Sequence, residues 1–90
     1  MSDTMSASAQ VSVYPLRQPH LAPAVDAVRD ALLAHGLSPQ VGPMSTIVSA
    51  DVATLFRALA DAFAAAIARG EAVMTITVSN ACPVPPPPHG

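Results

Sequence analysis

Strict alternation of apolar and polar side chains marks the beginning and the end of the chain. In residues 6–14 the apolar positions are Ala7, Ala9, Val11 and Val13, and the positions between them are Ser8, Gln10, Ser12 and Tyr14. In residues 71–80 the two alternating sets are Ala72, Met74, Ile76 and Val78, and Val73, Thr75, Thr77 and Ser79. Successive side chains of a strand point to opposite faces, so each segment predicts a strand with a core face and a more polar face.

Two segments between these strands carry apolar residues at helical spacing. The first runs from about Ala22 to His35 and is followed by Gly36, a residue typical of the position just after a helix. The second follows Asp51, a good N-cap residue, and ends before Gly70. We expect its apolar stripe to pack in the core; the stripe consists of Val52, Leu55, Phe56, Leu59, Phe63, Ala66 and Ile67.

The stretch between the two helices, Leu37 to Ser49, predicts a hairpin of two short strands, because a Gly-Pro pair precedes a β-rich run. The element order is then strand, helix, strand, strand, helix, strand. Right-handed crossovers favour a ferredoxin-like α+β sandwich, with a four-stranded antiparallel sheet in the order 4-1-3-2 and both helices on one face. The predicted domain spans residues 6–82, between a disordered N-terminus (1–5) and a proline-rich tail (83–90).

Composition excludes several classes of function. The 90 residues allow one domain, and only 11% of them are charged, for a net charge of -2. The four basic residues are scattered arginines, which argues against nucleic-acid binding. The most apolar stretch, Leu55 to Ile67, is interrupted by charges and too short to insert into a membrane. Cys82 has no second cysteine to pair with, which favours a cytoplasmic location.

No catalytic or metal-binding constellation is apparent. Cys82 has no nearby base to activate it. The histidines do not have metal-ligand spacing and are His20, His35 and His89. We expect His35 to serve the last turn of its own helix. The sequence therefore predicts a protein that is not an enzyme and holds no metal or cofactor.

The polar face of the predicted sheet has an unusual chemistry. Its groups are hydroxyls and amides without charge: Ser8, Gln10, Ser12, Tyr14, Thr46, Thr75, Thr77, Ser79 and Asn80. An ordinary solvated face is one interpretation, since Thr is common in strands. Solvated faces usually carry Lys, Arg and Glu, however, so we expect this face to be covered by another subunit or to bind a small polar heterocycle.

Three segments carry a resemblance to a known family. They are residues 9–16 (AQVSVYPL), 42–46 (GPMST) and 73–83 (VMTITVSNACP). Together they resemble the YkoF-like family that binds thiamin and hydroxymethylpyrimidine, over a similarity from about Ser6 to Pro83. The matching segments imply a ligand site made of Gln10, Ser12, Tyr14, Met44, Ser45, Thr46, Ser79 and Asn80.

The resemblance implies a function and an assembly. It implies binding of thiamin or its hydroxymethylpyrimidine moiety at the polar sheet face, without chemistry, in salvage or transport of the vitamin. Family members can carry two such units in one chain, whereas this chain has one, so the resemblance also implies a homodimer or homotetramer formed through the sheets. The alternative is a structural or regulatory homo-oligomeric module that holds no small molecule.

Overall fold

The structure contains six elements in the order that the sequence predicts. The computed structural model describes residues 5–17, 19–43, 45–68 and 70–81. The elements are β1 (Ser6–Pro15), α1 (Ala22–Ala34), β2 (Gln40–Val41), β3 (Thr46–Asp51), α2 (Val52–Ile67) and β4 (Ala72–Ser79). The strands form an antiparallel sheet in the order β2-β3-β1-β4, which is the predicted order counted from the opposite edge. The fold is therefore ferredoxin-like α+β.

The core lies between the sheet and the two helices. The predicted apolar side of β1 is buried in full, and Val48 of β3 lies beside it. The inward side chains of the helices are Ala24, Val28 and Leu32 of α1 and Leu55, Ala58, Leu59, Ala62 and Ala66 of α2. Both helices thus cover the same face of the sheet, and the described part of the chain places no element over the other face.

The prediction for the core stripe of α2 was wrong in part. Phe56, Phe63 and Ile67 are 53%, 40% and 44% exposed. The positions that face inward instead are small residues such as Ala58 and Ala62, both fully buried. A methyl group lets α2 approach α1 and the sheet closely, and a tightly packed interior leaves no room for a ring there. The helix is apolar on both sides, so its periodicity alone could not decide which side is buried.

Both helix boundaries predicted from single residues are confirmed. The backbone N–H of Thr54 donates to Oδ2 of Asp51 at 3.0 Å, which makes Asp51 the N-cap of α2. Gly36 has a φ of 79°, and its N–H donates to the carbonyl of Leu33 at 2.9 Å. Such a left-handed residue after the last helical turn is the usual way to end a helix.

The His35 side chain does not bond to the last turn of its own helix, as the sequence predicts. Its Nε2 lies 2.6 Å from Oδ2 of Asp61, on α2. The imidazole therefore joins the two helices instead of satisfying the carbonyls of its own last turn. The carbonyls of Leu32 and Leu33 accept from the backbone instead.

The predicted terminal segments fall mostly outside the described residues, which exclude 1–4 and 82–90 and therefore also Cys82. Met5 is described, and its carbonyl accepts a hydrogen bond from the N–H of Val52 at 2.9 Å. Among the described residues, no helix is both long enough and apolar enough to cross a membrane.

Candidate functional site

The strand register defines the sheet face that carries no helix. Ser8 pairs with Ser49 and Ser79, and Gln10 pairs with Ile47 and Thr77. Opposed residues of antiparallel strands point to the same side, so these side chains share one face. The hydroxyls of Ser8 and Ser49 lie 2.8 Å apart. The uncharged polar face that the sequence predicts is therefore present, with Tyr14 at its edge and 48% exposed.

The predicted site residues separate into two groups along the sheet. Ser79 lies beside Ser8 and Tyr14 lies beside Val73, at the other end of the same pair of strands. Ser8 and Tyr14 are six positions apart along β1, which corresponds to about 20 Å. The structure therefore does not bring Ser79 and Asn80 to the end of the sheet where Tyr14 lies. The hydroxyl of Ser79 instead accepts the N–H of Ala81 at 3.0 Å, within a local turn.

The second group gathers around the hairpin between β2 and β3. The side-chain amide of Gln10 donates to Oγ of Ser45 at 3.3 Å, which ties the hairpin to the centre of the sheet. The N–H of Gly42 donates to the carbonyl of Ser45 at 2.8 Å and closes the turn. Met44, which the resemblance also implies, lies outside the described residues.

Thr46 corrects the prediction that the whole polar set shares the uncovered face. It pairs with Val11, which belongs to the core side of β1, and it is only 4% exposed. Its side chain therefore lies on the helix side of the sheet. The sequence did contain a signal for this placement, because Thr46 alternates in phase with Val48 and Ala50, both on the core side.

A cavity of about 140 Å³ lies beside Thr46, between the sheet, the hairpin and the first turns of α1. We call it the helix-side cavity. Its lining residues are Val11, Ser12, Val13, Tyr14, Leu21, Val25, Val28, Gly42, Pro43, Ser45 and Thr46. The buried residues Val11, Val28 and Thr46 form its inner part, whereas Leu21 and Pro43 are exposed at its rim.

Strand β1 borders this cavity with its backbone. The ladder between β1 and β3 stops at the pair Val11–Thr46, while the ladder between β1 and β4 continues to Pro15. Among the described residues, the side of β1 that turns away from β4 has no paired strand beyond Val11, and Ser12, Val13 and Tyr14 line the cavity there. Backbone N–H and C=O groups are obligatory hydrogen-bonding groups, and here they are held in the fixed geometry of a strand edge.

The chemistry of the cavity suits a small planar ligand without net charge. Valines form the walls, and Ser45 and Thr46 are the hydroxyl-bearing residues that line the cavity from the hairpin. A comparable cavity of about 150 Å³ in another protein holds one benzene ring. The volume here therefore fits one six-membered ring, with anything larger extending past the rim. No described residue that lines the cavity is charged, and no cluster of potential metal ligands exists among the described residues.

Sequence reasoning found only part of this site. Four residues that the resemblance implies for the ligand site, Ser12, Tyr14, Ser45 and Thr46, are among the lining residues, and their contact with a ligand stays a prediction. The wall contributed by Leu21, Val25 and Val28, at the start of α1, was missed because apolar residues at helical spacing are expected to face the core. No local pattern separates a valine that faces a cavity from one that faces another side chain.

The fold and the helix-side cavity define a small ferredoxin-like protein with a hollow of the size of one ring between sheet and helix. The sequence profile of the family described as thiamine-binding protein matches residues 9–80, which is most of the chain. The chain belongs to this family. The resemblance to YkoF-like proteins is thereby confirmed.

Solved structures support the fold. A hypothetical protein of Methanocaldococcus jannascii superposes with a TM-score of 0.76 at 17% identity, over 83% of this chain and 79% of that one. A protein of Streptococcus pneumoniae gives 0.76 at 23% identity, over 83% and 86%. A putative thiamine biosynthesis/salvage protein of Thermotoga maritima gives 0.71 at 15% identity, over 81% of both chains. No curated protein sequence matches the chain significantly.

Proposed function

We propose that this protein binds thiamin, or its hydroxymethylpyrimidine moiety, and that the pyrimidine ring enters the helix-side cavity. Membership of the thiamine-binding protein family supports the ligand class. The observation that carries the proposal is the cavity itself, which has the volume of one ring and is lined by Thr46, where the described pairing of β3 with β1 ends. An aminopyrimidine presents donors and acceptors in one plane, and a strand edge with neighbouring hydroxyls can meet them in that plane.

The proposed placement differs from binding on the uncovered sheet face. The cavity has apolar walls that remove the flat sides of a ring from water, whereas the hollow of about 390 Å³ that Ser45 and Ile47 line on the other side of the hairpin is wider and more open. Ser12, Tyr14, Ser45 and Thr46 belong to the proposed placement, and Gln10 supports it through Ser45. Ser79 and Asn80 lie at the other end of the sheet and have no part in it.

The proposed role is binding without chemistry. The family is described by binding and not by a reaction, and a Thermotoga maritima protein of the same fold is described as a putative thiamine biosynthesis/salvage protein. Both support a role in salvage or transport of the vitamin. Action in the cytoplasm is part of the proposal and rests on the sequence, which has a lone cysteine.

Calorimetry with a pair of matched variants tests the proposed site. Thr46→Val keeps the shape of the side chain and removes its hydroxyl. We expect it to weaken binding of hydroxymethylpyrimidine about 3- to 10-fold, the usual effect of losing one hydrogen bond. Thr77→Val makes the same change on the uncovered face, and we expect it to leave the affinity unchanged.

The same titrations can reject the proposal. Loss of affinity in Thr77→Val but not in Thr46→Val would place the ligand on the uncovered face. Absence of both heat and a melting-temperature shift with thiamin and hydroxymethylpyrimidine at millimolar concentration would remove the ligand class.

A second variant closes the cavity from the α1 side. Val25 is partly buried and lines the cavity, so Val25→Phe fills space that the ligand needs. We expect this variant to remain folded and to lose detectable binding. Leu33→Phe adds a ring on an exposed position of the same helix and should bind as the wild type does. Full affinity in Val25→Phe, measured by calorimetry, would contradict binding in this cavity.

A homo-oligomeric module without a ligand is the second candidate function. The observation in its favour is the uncovered, uncharged sheet face, whose residues Gln10, Thr75 and Thr77 are all exposed in a single chain. Association of two or four copies through these faces would cover them. Light scattering of the purified protein decides whether the chain associates, and the titrations above decide whether a ligand is bound.

A further inference from the structure

The side of α2 that points away from α1 is apolar and open to water. On α2 successive residues are about 100° apart, and Asp61, bonded to His35, marks the side that faces α1. Phe56, Phe63 and Ile67 lie on the opposite side, and each of them is at least 40% exposed. Large apolar side chains grouped on an exposed surface often mark a place where another segment binds.

We call this surface the outer flank of α2 and define it by Phe56, Ala60, Phe63 and Ile67. These residues are four, three and four positions apart, so they form one row along the helix. The two phenylalanines are seven positions apart, which corresponds to about 10 Å along the helix axis. Ala60 is exposed and lies between them. The outer flank therefore presents two rings at a fixed spacing, with only a methyl group between them.

The proline-rich tail, residues 83–90, has a composition that suits such a surface. The tail lies outside the described residues, and its sequence is PVPPPPHG. Proline-rich segments favour the polyproline II helix, which has three residues per turn and rises about 3.1 Å per residue. Segments of this kind dock on grooves lined by aromatic side chains. The chain thus contains both an exposed pair of aromatic rings and a segment of the class that binds them.

The tail begins near the N-terminal end of α2. Ser79, the last residue of β4, pairs with Ser8, and Asp51, the N-cap of α2, pairs with Ser6. The end of β4 and the start of α2 therefore lie at the same end of the sheet. Directly after β4 the chain turns, with the N–H of Ala81 donating to the hydroxyl of Ser79 at 3.0 Å. Such a turn allows the following residues to run back along α2.

We propose that the proline-rich tail docks on the outer flank of α2 of its own chain as a polyproline II helix, with prolines against Phe56 and Phe63. The eight residues of the tail span about 25 Å in this conformation, whereas the outer flank from Phe56 to Ile67 is about 16 Å long. Prolines three positions apart, such as Pro85 and Pro88, are about 9 Å apart. This spacing is close to the distance between the two rings.

Attachment to the domain favours this docking. A segment joined through a short linker has an effective concentration in the millimolar range, so a weak contact is enough to hold it. Proline restricts the backbone of the tail before docking, so less conformational entropy is lost than for an ordinary segment. The tail and the outer flank both lack Asp, Glu, Lys and Arg, so docking removes none of these charges from water. The inference does not depend on the proposed ligand.

NMR spectroscopy of the full chain tests the proposal. The chain has two phenylalanines and one tyrosine, so contacts to each ring can be assigned separately. We expect nuclear Overhauser effects between protons of the tail prolines and the rings of Phe56 and Phe63, and none to the ring of Tyr14 on the uncovered sheet face. Contacts to Tyr14 alone would overturn the proposal. Contacts between labelled and unlabelled chains in a mixture would also overturn it, because the tail would then bind a second copy.

Backbone order at the end of the tail gives a second measurement. We expect an amide order parameter of about 0.8 for His89 in the wild type, and a value below about 0.6 in Phe63→Ala. Leu33→Ala, on the exposed side of α1, should leave the value unchanged.

A variant of the tail itself separates loss of docking from loss of the fold. Pro85→Ser combined with Pro88→Ser changes only residues outside the described domain and should lower the order parameter of His89 as Phe63→Ala does. A value below about 0.6 in the wild type would overturn the proposal and leave the tail to an external partner. A value that is the same in the wild type, in Phe63→Ala and in the proline variant would overturn it as well.

Discussion

For Thr46, the residue opposite it in the neighbouring strand shows which face of the sheet its side chain occupies. On the uncovered face, its hydroxyl would be one of several exposed hydroxyls. Opposite Val11, Thr46 is instead a buried polar residue that lines the cavity together with valines. A polar group in apolar surroundings interacts strongly with a ligand that can pair with it, because little water competes there. The single residue with the best claim to recognise a ring is therefore one on the core side.

The ionisation of Asp51 contributes to stability. Hydrogen bonds from the side chain and the backbone of Thr54, with the nearby charge of Arg57, lower the pKa of Asp51 from its ordinary value. Since the folded-state pKa is the lower one, the cap stabilises the fold above the unfolded-state pKa and is lost as the pH falls through the folded-state pKa.

Two substitutions at Asp51 test this pH dependence of the stability. Asp51→Ala should lower the melting temperature at pH 7, because the N-cap hydrogen bond is lost. Asp51→Asn keeps a capping side chain that does not titrate, so its stability relative to the wild type should improve as the pH falls below about 4. Thermal unfolding across this range is the measurement, and a difference that does not vary with pH would contradict the assigned role.

At the scale of elements, α2 has two apolar sides with different sizes of side chain. Alanines and two leucines face the core, while the two phenylalanines face outward. Transfer of the large rings to the inside would remove more apolar surface from water, but it would also push α2 away from α1. The close approach of the two helices therefore depends on the methyl side chains at the inward positions.

The alanine side of α2 should be intolerant of larger residues. Ala62 is fully buried, and Ala62→Leu should destabilise the protein by about 1 to 3 kcal/mol through overpacking. Ala60 lies on the exposed side of the same helix, and Ala60→Leu should change the stability by less than about 0.5 kcal/mol. Chemical denaturation of both variants measures the difference. Equal stability of the two would show that α2 is free to rotate or to shift.

At the scale of the whole molecule, the helix-side cavity lies where three parts of the chain meet. The sheet, the hairpin and α1 each contribute to its wall, and these parts are far apart in sequence. A ligand in the cavity would touch all three at once and would stabilise their relative positions. The first turns of α1 line the cavity. The His35–Asp61 contact joins the two helices at the opposite, C-terminal end of α1, away from the cavity.

Binding should therefore protect specific parts of the backbone. We expect saturating hydroxymethylpyrimidine to slow hydrogen exchange in residues 40–47 and in the first turns of α1. At a ligand concentration 100 times the dissociation constant, the gain in stability should be about 2.7 kcal/mol. Exchange mass spectrometry with and without ligand is the measurement. Protection confined to the end of β4 near Ser79 would contradict the cavity as the binding site.

The pattern of apolar and polar residues was sufficient to predict the order of the elements and the arrangement of the sheet. Alternation in β1 and β4, Asp51 before α2 and Gly36 after α1 each act through neighbours in the chain. Local backbone geometry controls such features, so the boundaries of β1, α1, α2 and β4 could be predicted to within about two residues, whereas the hairpin was predicted only as the stretch from Leu37 to Ser49. The handedness of crossovers then left few arrangements of the sheet, and the predicted one is present.

Local sequence patterns could not predict the position of the helix-side cavity or which side of α2 faces the core. Whether Phe63 or Ala62 faces the core depends on how closely α1 approaches, and whether Val25 meets a cavity depends on where β3 stops pairing with β1. Both are distances between segments remote in sequence. Local conformation and periodicity control the elements and their order, so both could be predicted from residues that are neighbours in the chain. Packing between segments that are remote in the chain controls which apolar side chains are buried and where the helix-side cavity lies, so neither could be predicted.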